Sequence, residues 1–207
     1  MKKIAVLSLL LIFLSSFAFA DTVNLPKTGQ TKCYDTSGNE ISCPSTGQDG
    51  EIQAGVTGPS PRFTVNGDCV TDNLTGLMWA KNGNLANGTK TWNAAVDYCN
   101  SLTLCGYDDW RLPNVNELES LVNGAESNTA TWLNTQGFTN VQAGYYWSST
   151  TYASNTGYAW YVNMYHGHVY TAVSPTPVMC GPYVLDSVGH LIIRSFVCRK
   201  QGRRRAI

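Results

Sequence analysis

Cysteine residues constrain this chain more than any other feature, because each disulfide bond joins two segments that are distant in the sequence. The chain has 207 residues, and its seven cysteines are Cys33, Cys43, Cys69, Cys99, Cys105, Cys180 and Cys198. No two of them have the C-x-x-C spacing of a zinc ribbon or a thioredoxin-type redox centre. Structural bridges are therefore expected, and three bridges with one free thiol allow roughly a hundred connectivities.

One pair is favoured by its local sequence. Cys33 and Cys43 lie at the ends of two short extended segments, and the turn formers Asp35, Gly38 and Asn39 stand between them. We therefore predict a hairpin closed by a Cys33–Cys43 bridge. The pairing of the other five cysteines stays open on these grounds.

The N-terminus has the three parts of a secretory signal peptide. A positively charged start is followed by an apolar run at residues 4–14 and by Ala18-Phe-Ala20, an A-x-A cleavage pattern. We predict a signal peptide at residues 1–20, against the alternative of an uncleaved anchor. Export would place the mature chain in the periplasm, at the cell surface or outside the cell, where disulfides persist. No later segment approaches the roughly 20 apolar residues of a membrane helix, so no transmembrane segment is expected there.

Composition and charge favour a loop-rich α+β domain. Charged residues make up 14% of the chain, whereas Gly, Tyr and Trp are frequent, a balance that favours strands and loops over long charged helices. All 14 acidic residues precede Cys198, and a basic tail follows at residues 201–207. The favoured interpretation of this tail is a solvated terminus, and the alternative is a site for an anionic polymer or lipid.

The chain divides into an extension and one domain. Residues 21–61 are rich in Gly, Pro and Thr and lack the apolar periodicity of a packed element, so we predict an extension that carries the stapled hairpin. The globular domain is predicted at residues 62–200. Its length is sufficient to bury a hydrophobic core.

Two helices and several strands are predicted within this domain. Apolar residues from Trp92 to Leu102 have helical spacing after the N-cap Thr91, and Asn114 with Glu117 forms a capping-box pattern before a second helix. Strand-like segments are residues 63–65, 77–79, 145–147, 158–164, 168–170 and 191–198.

Several of these segments carry motifs of a known family. They are Val70-Thr-Asp-Asn-Leu-Thr-Gly-Leu-Met-Trp79, Gly106-Tyr-Asp-Asp-Trp-Arg-Leu-Pro113, Tyr146-Trp-Ser-Ser149 and Val197-Cys-Arg199. Over about residues 62–200 the chain resembles the bacterial domain named for the C-terminal region of the Legionella collagen-like adhesin, a domain of unknown function. The extension lies outside this resemblance, and no collagen-like repeat is present.

The resemblance implies a fold and a set of bridges. The family is thought to be C-type lectin-like, with two helices flanking a small twisted antiparallel sheet with long loops. Such folds tie the first helix to the last strand, which implies a Cys99–Cys198 bridge. Cys69 and Cys105 would then form an additional pair, and Cys180 would keep a free thiol.

The metal-binding motifs of the sequence are weak. His166-Gly-His168 lies between two strand-like segments, where a glycine-containing turn is expected, so no metal site is predicted there. Asp108-Asp109 and the Asp72-Asn73 turn offer oxygen ligands for calcium, but without an EF-hand spacing or a sugar-binding lectin motif. No cofactor is expected, and calcium is retained only as a weak alternative.

No catalytic motif stands out either. The Arg-Leu-Pro segment is similar to one in formylglycine-generating enzymes, but the cysteine pattern around their copper site is missing near Cys180 and Cys198. The sequence also lacks a nucleophile elbow and a phosphate loop. No catalytic residue is therefore assigned.

Aromatic residues are concentrated in one segment. Between residues 145 and 170 there are seven Tyr and two Trp, residue types that suit recognition of proteins and carbohydrates. Part of this set must fill the core. We expect the exposed, ligand-binding residues to be Tyr152, Tyr158, Tyr161 and Tyr165.

These observations predict an exported, adhesin-like binding module for a glycan or protein surface. The alternative is a structural, disulfide-stapled envelope protein without a small ligand, and the third hypothesis is an enzyme of the formylglycine-generating type. No nucleic-acid partner is expected. Oligomer formation is compatible with each hypothesis.

Overall fold

The computed structural model describes residues 25–173, 193–195 and 198–200. The predicted signal peptide, the basic tail and Cys180 lie outside these residues. Within them, no helix combines the length and the apolar character needed to cross a membrane.

The extension forms a small stapled unit. Strands β1 (Cys33–Tyr34) and β2 (Glu40–Ile41) pair antiparallel, and the short helix α1 (Asp49–Ile52) follows. Asp35 holds the turn between the strands, because its carboxylate accepts hydrogen bonds from the backbone N–H groups of Ser37 and Asn39. The predicted Cys33–Cys43 disulfide is confirmed, with the two Cα atoms 5.2 Å apart.

The extension packs against the domain at the loop that follows the third helix. The backbone N–H of Gly124 donates to the carbonyl of Thr28 over 2.8 Å. A Cβ atom at Gly29 would lie 2.1 Å from Oδ1 of Asn123, so a larger residue there would displace the Asn123 side chain. The stapled unit is therefore held on the surface of the domain.

The first domain sheet is antiparallel and has the order β10-β5-β4-β3. Its strands are β3 (Phe63–Asn66), β4 (Cys69–Asp72), β5 (Leu77–Ala80) and β10 (Cys198–Lys200). All four residues of β5 are buried, because β5 lies inside the sheet and both of its faces are covered.

The second domain sheet has the order β8-β7-β6-β9. Its strands are β6 (Tyr145–Thr151), β7 (Tyr158–Asn163), β8 (Val169–Val173) and β9 (Ile193–Ser195). β6, β7 and β8 pair antiparallel, whereas β9 runs parallel to β6.

The predicted α+β class is confirmed, but two expectations about the sheets are wrong. The single strand expected at residues 191–198 is instead β9 and β10, which pair with partners in different sheets. Within the described residues, the domain has two separate four-stranded sheets, and the small hairpin lies in the extension, whereas one antiparallel sheet was expected. The local pattern of apolar residues does not specify which partner each segment takes, so this division was not visible in the sequence.

The helices of the domain are short and capped. α2 (Trp92–Asn100) begins after Thr91, whose side chain accepts from the N–H of Ala94, as predicted. α3 (Val115–Glu119) has the predicted capping box. α4 (Thr129–Thr135) was not predicted, because its seven residues bury only three side chains and leave a weak periodic pattern.

Two hydrophobic clusters cover opposite faces of the second sheet. Tyr146 and Val162 belong to the first cluster, whereas Trp147 and Tyr161 belong to the second, as the period of two along a strand requires. The first cluster also contains Trp79, Leu118, Leu121, Leu133, Phe138 and Met164. The same alternation occurs in β5, where Trp79 belongs to the first cluster and Met78 to the second, so both sheets lie between the two clusters.

The remaining cysteines confirm one implied bridge and contradict another. Cys69 and Cys105 form a disulfide with Cα atoms 6.5 Å apart, which ties β4 to the loop after α2. Cys99 and Cys198 are both free and buried, so the implied Cys99–Cys198 bridge is wrong for this structure. Each thiol instead packs among apolar side chains, Cys99 in the second hydrophobic cluster and Cys198 in the first.

Candidate functional site

The turn between β7 and β8 is held in a defined shape. Buried Asn163 accepts a hydrogen bond from the N–H of Tyr165 through its side chain, over 2.7 Å. Its own N–H donates to the carbonyl of His168, and its carbonyl accepts from the N–H of Gly167, both over 2.8 Å. The turn expected at His166-Gly-His168 is therefore confirmed.

Gly167 allows the turn to lie against α3. Its φ is +79°, a left-handed conformation that favours glycine. A Cβ atom there would stand 2.5 Å from Cγ1 of Val122, just beyond α3. Any larger residue would be strained by its backbone and would also push the turn away from Val122.

The first turn of α4 supports the same segment. The N–H of Thr129 donates to the carbonyl of Tyr165 over 3.0 Å, and the N–H of Ala130 donates to the carbonyl of Met164 over 2.7 Å. These bonds use N–H groups at the start of α4 that have no partner inside the helix. The turn is thus bonded to β7 on one side and to α4 on the other.

Five aromatic and imidazole rings form a continuous row along this turn and β8. We call this set, Tyr161, Tyr170, His168, His166 and Tyr165, the ring row. Neighbouring ring centroids along it lie 6.0, 5.7, 3.9 and 5.8 Å apart, in that order. A row of rings on a well-supported turn offers flat apolar surface with polar edges.

Exposure rises along the ring row. Tyr161 is buried between Tyr145 and Trp147, whose rings it contacts edge-on. Tyr170 is 47% exposed and Tyr165 is 48% exposed, and both histidines between them are exposed. The buried end therefore anchors the row in the core, and the other four rings face solvent.

The two histidines differ in their surroundings. Nδ1 of His168 lies 3.0 Å from the hydroxyl oxygen of Tyr170. Burial lowers the pKa of His166, and the adjacent imidazole of His168 lowers it further. His166 is thus held towards its neutral form, the form in which one ring nitrogen has a free lone pair.

The four tyrosines predicted to bind ligand do not form one group. Tyr165 lies in the exposed part of the ring row. Tyr161 is buried, which corrects the expectation that it faces solvent: residues alternate along β7, and its face of the strand is covered by the second hydrophobic cluster. Tyr152 and Tyr158 are half-buried at the other end of β7, where the Tyr152 ring packs edge-on against Trp160.

Sequence reasoning missed Tyr170 and assigned no binding role to His168. The available signal was their spacing: His168 and Tyr170 are two residues apart at the start of a strand, so their side chains fall on the same face. The same face of the neighbouring strand carries Tyr161, opposite Tyr170 in the pairing register.

The carboxylate considered for calcium at Asp72 serves a structural purpose. Asp72 is fully buried and accepts hydrogen bonds from Arg62, from the N–H of Leu74 and from the hydroxyl of Thr75. Arg62 also donates to the carbonyl of Ser120, which joins the first sheet to the end of α3. No group of three or more His, Cys, Asp or Glu that could hold a metal ion occurs within the described residues.

The Arg-Leu-Pro segment is structural in a similar way. The guanidinium of Arg111 donates to both carboxylate oxygens of Glu117, over 2.7 Å each. Glu117 also accepts from the N–H of Asn114 in the capping box. The backbone of Arg111 pairs with that of Cys198. Arg111 therefore links α3 to the first sheet.

One comparison with known proteins gives a match. The family model described as the Lcl C-terminal domain matches residues 68–180, more than half of the chain. The matched range includes β4 to β8 and the whole ring row, and it leaves the extension outside. Comparison with curated proteins finds no match.

Proposed function

Because the chain belongs to the Lcl C-terminal domain family, we propose that it is an adhesin-like binding module that recognises a glycan or protein surface through the ring row. The observation that carries this proposal is the exposure of four neighbouring rings, Tyr165, His166, His168 and Tyr170, on one supported turn. A non-enzymatic role is part of the proposal, as is a C-type lectin-like relationship of the fold.

The chemistry of the ring row suits such recognition. Tyr combines a large apolar ring with a hydroxyl group, and it has few rotatable bonds to immobilise on binding. The faces of sugar rings and the side chains of protein partners both stack on such surfaces. Because the turn is bonded to β7 and α4, little backbone ordering remains to be done when a ligand binds.

The cysteines support a location outside the reducing cytoplasm. Two disulfides, Cys33–Cys43 and Cys69–Cys105, are present, and such bonds persist in oxidising compartments. The predicted signal peptide at residues 1–20 agrees with this location and belongs to the proposal. Periplasmic, cell-surface and extracellular sites all fit these two features.

The alternative, a structural envelope protein without a small ligand, predicts no specific binding by the ring row. A glycan array and a panel of immobilised extracellular proteins would test this with the mature chain. We expect the double variant Tyr165→Ala with Tyr170→Ala to lose roughly 10-fold or more in affinity, as exposed aromatic anchors do. Tyr34→Ala is the matched control, because Tyr34 is also exposed but lies in the extension.

Two results would count against recognition by the ring row. One is a mature chain that binds nothing on either surface, which would favour the structural role. The other is binding that the double variant retains in full. Removal of residues 201–207 separates the contribution of the basic tail, since binding that depends on the tail alone would disappear in that truncation.

A further inference from the structure

The histidines of the ring row are closer together than recognition by stacking requires. The imidazole centroids of His166 and His168 are 3.9 Å apart, and the ring planes are inclined by 44°. Gly167 between them has a left-handed backbone and packs against Val122, so the turn itself brings the two rings to the same side. From this pairing we infer that His166 and His168 form a binding site for a divalent transition-metal ion, with Cu²⁺ bound most tightly.

The separation of the rings is near that of two imidazoles on one ion. A metal–nitrogen distance of about 2.0–2.1 Å places each ring centre about 3.2 Å from the ion. Two rings at an angle of about 90–100° then have centres about 4.5–5 Å apart. The observed rings need to separate by about 1 Å from 3.9 Å, a small change in χ angles for two exposed side chains.

Tyr170 orients one of the two ligands. Its hydroxyl oxygen lies 3.0 Å from Nδ1 of His168. When Nδ1–H donates to this oxygen, the lone pair of Nε2 is available to the ion. Hydrogen bonds of this kind from the second ring nitrogen are common at metal-binding histidines, where they fix the tautomer and the ring orientation.

The ligand set selects the class of metal. Imidazole suits Cu²⁺, Ni²⁺ and Zn²⁺, whereas Ca²⁺ and Mg²⁺ prefer oxygen ligands. The order of affinity for one nitrogen site places Cu²⁺ above Ni²⁺ and Zn²⁺. With two protein ligands, the remaining positions are open to water or to a donor atom of a bound partner. The site is therefore weaker than a structural site with four protein ligands.

Titration of the untagged mature chain with Cu²⁺, Zn²⁺ and Ca²⁺ tests this inference, with calorimetry for affinity and electron paramagnetic resonance for the copper ligands. We expect one equivalent of Cu²⁺ with coupling to two nitrogen nuclei, weaker binding of Zn²⁺ and no binding of Ca²⁺. His166→Asn and His168→Asn should each lower Cu²⁺ affinity by about 10-fold or more, and Tyr170→Phe by several-fold.

Two matched controls locate the ion. His190 is the third histidine of the chain, and Cys180 is a further candidate copper ligand by residue type. His190→Asn and Cys180→Ser should leave Cu²⁺ affinity unchanged. Circular dichroism of each variant separates loss of a ligand from loss of the fold.

The inference is overturned if the double variant His166→Asn with His168→Asn still binds Cu²⁺ with unchanged affinity and an unchanged nitrogen coupling. Loss of binding in His190→Asn or Cys180→Ser places the ion elsewhere and also overturns it. These measurements contain no glycan and no protein partner. Failure of the metal site is therefore distinct from failure of the proposed recognition function.

Discussion

The extension and the domain keep their shapes by different means. In the extension, residues 25–61, the backbone is held by a disulfide and by N–H groups that donate to the carboxylates of Asp35 and Glu51. Leu25 and Ile52 stay 74% and 60% exposed. In the domain, two hydrophobic clusters cover both sheets, one cluster on each side. A covalent bridge thus takes the place of a core where too few apolar residues are available to build one.

Ion pairs follow the same division. Lys32 and Glu40 in the extension form a pair whose side chains are both exposed, and such pairs contribute little. Arg62 and Asp72 form a pair in which the carboxylate is fully buried and has further hydrogen-bond partners. Removal of Arg62 would leave the charge of Asp72 buried without its partner, which lowers the free energy of unfolding. It would also remove the hydrogen bond to Ser120 that links the first sheet to α3.

The largest difference in stability between the two regions is expected when an apolar side chain is truncated. Leu118 is fully buried in the first hydrophobic cluster, and Leu118→Ala should lower the free energy of unfolding by roughly 2–5 kcal/mol. Ile52→Ala in the extension should change it by less than about 0.5 kcal/mol, because Ile52 is exposed. Denaturant unfolding monitored by tryptophan fluorescence measures both. Equal losses would mean that the extension has a core of its own.

Removal of the disulfide of the domain should have the next largest effect on stability. Cys69–Cys105 closes a segment with a sequence separation of 36 residues. In the chain-entropy model, loss of such a bridge costs roughly 4 kcal/mol. The double variant Cys69→Ala with Cys105→Ala should therefore lower the melting temperature of the whole domain, as scanning calorimetry would show. An unchanged melting temperature, with structure lost only in the loop after α2, would contradict this expectation.

The disulfide of the extension should act locally. Cys33–Cys43 has a sequence separation of 10 residues, for which the same model gives roughly 3 kcal/mol. In Cys33→Ala with Cys43→Ala we expect faster amide hydrogen exchange in residues 25–58 and nearly unchanged exchange in β4 to β7. Global destabilisation comparable to that of the Cys69–Cys105 variant would show instead that docking at Gly124 supports the domain.

Local chemistry was readable from the sequence, and long-range pairing was not. Thr91 and the Asn114–Glu117 capping box were predicted because capping depends on residues within one turn. The Cys33–Cys43 hairpin was predicted for the same reason. The separation of β9 from β10 depends on strands far away in the sequence, and no local pattern encodes such a choice.

The candidate site shows the same limit. The turn at Gly167 was predicted from its residue types, and Tyr165 was placed correctly at the surface. The burial of Tyr161 follows from the second hydrophobic cluster, which covers one face of β7. That cover comes partly from α2 and from the segment of Trp110, and their position against the sheet is a tertiary property.

Cys99 and Cys198, which form no disulfide in the structure, provide a direct test of the corrected pairing. Burial raises the pKa of Cys99 and of Cys198 to about 12, from an ordinary value near 9. Between about pH 9 and 12 the unfolded chain loses these protons and the folded chain keeps them. The free energy of unfolding should therefore fall by about 1.4 kcal/mol per pH unit for each thiol in this window, and the contribution is fully present below it.

Comparison with the double variant Cys99→Ala and Cys198→Ala isolates this contribution, since tyrosines and lysines titrate in both proteins over the same pH range. Free buried thiols predict a steeper alkaline loss in the unsubstituted chain, and no reaction of either thiol with iodoacetamide in the folded state at pH 8. A disulfide has no proton to lose. Equal slopes, together with a Cys99–Cys198 peptide in a non-reducing map, would establish a Cys99–Cys198 bridge in place of the two free thiols of this structure.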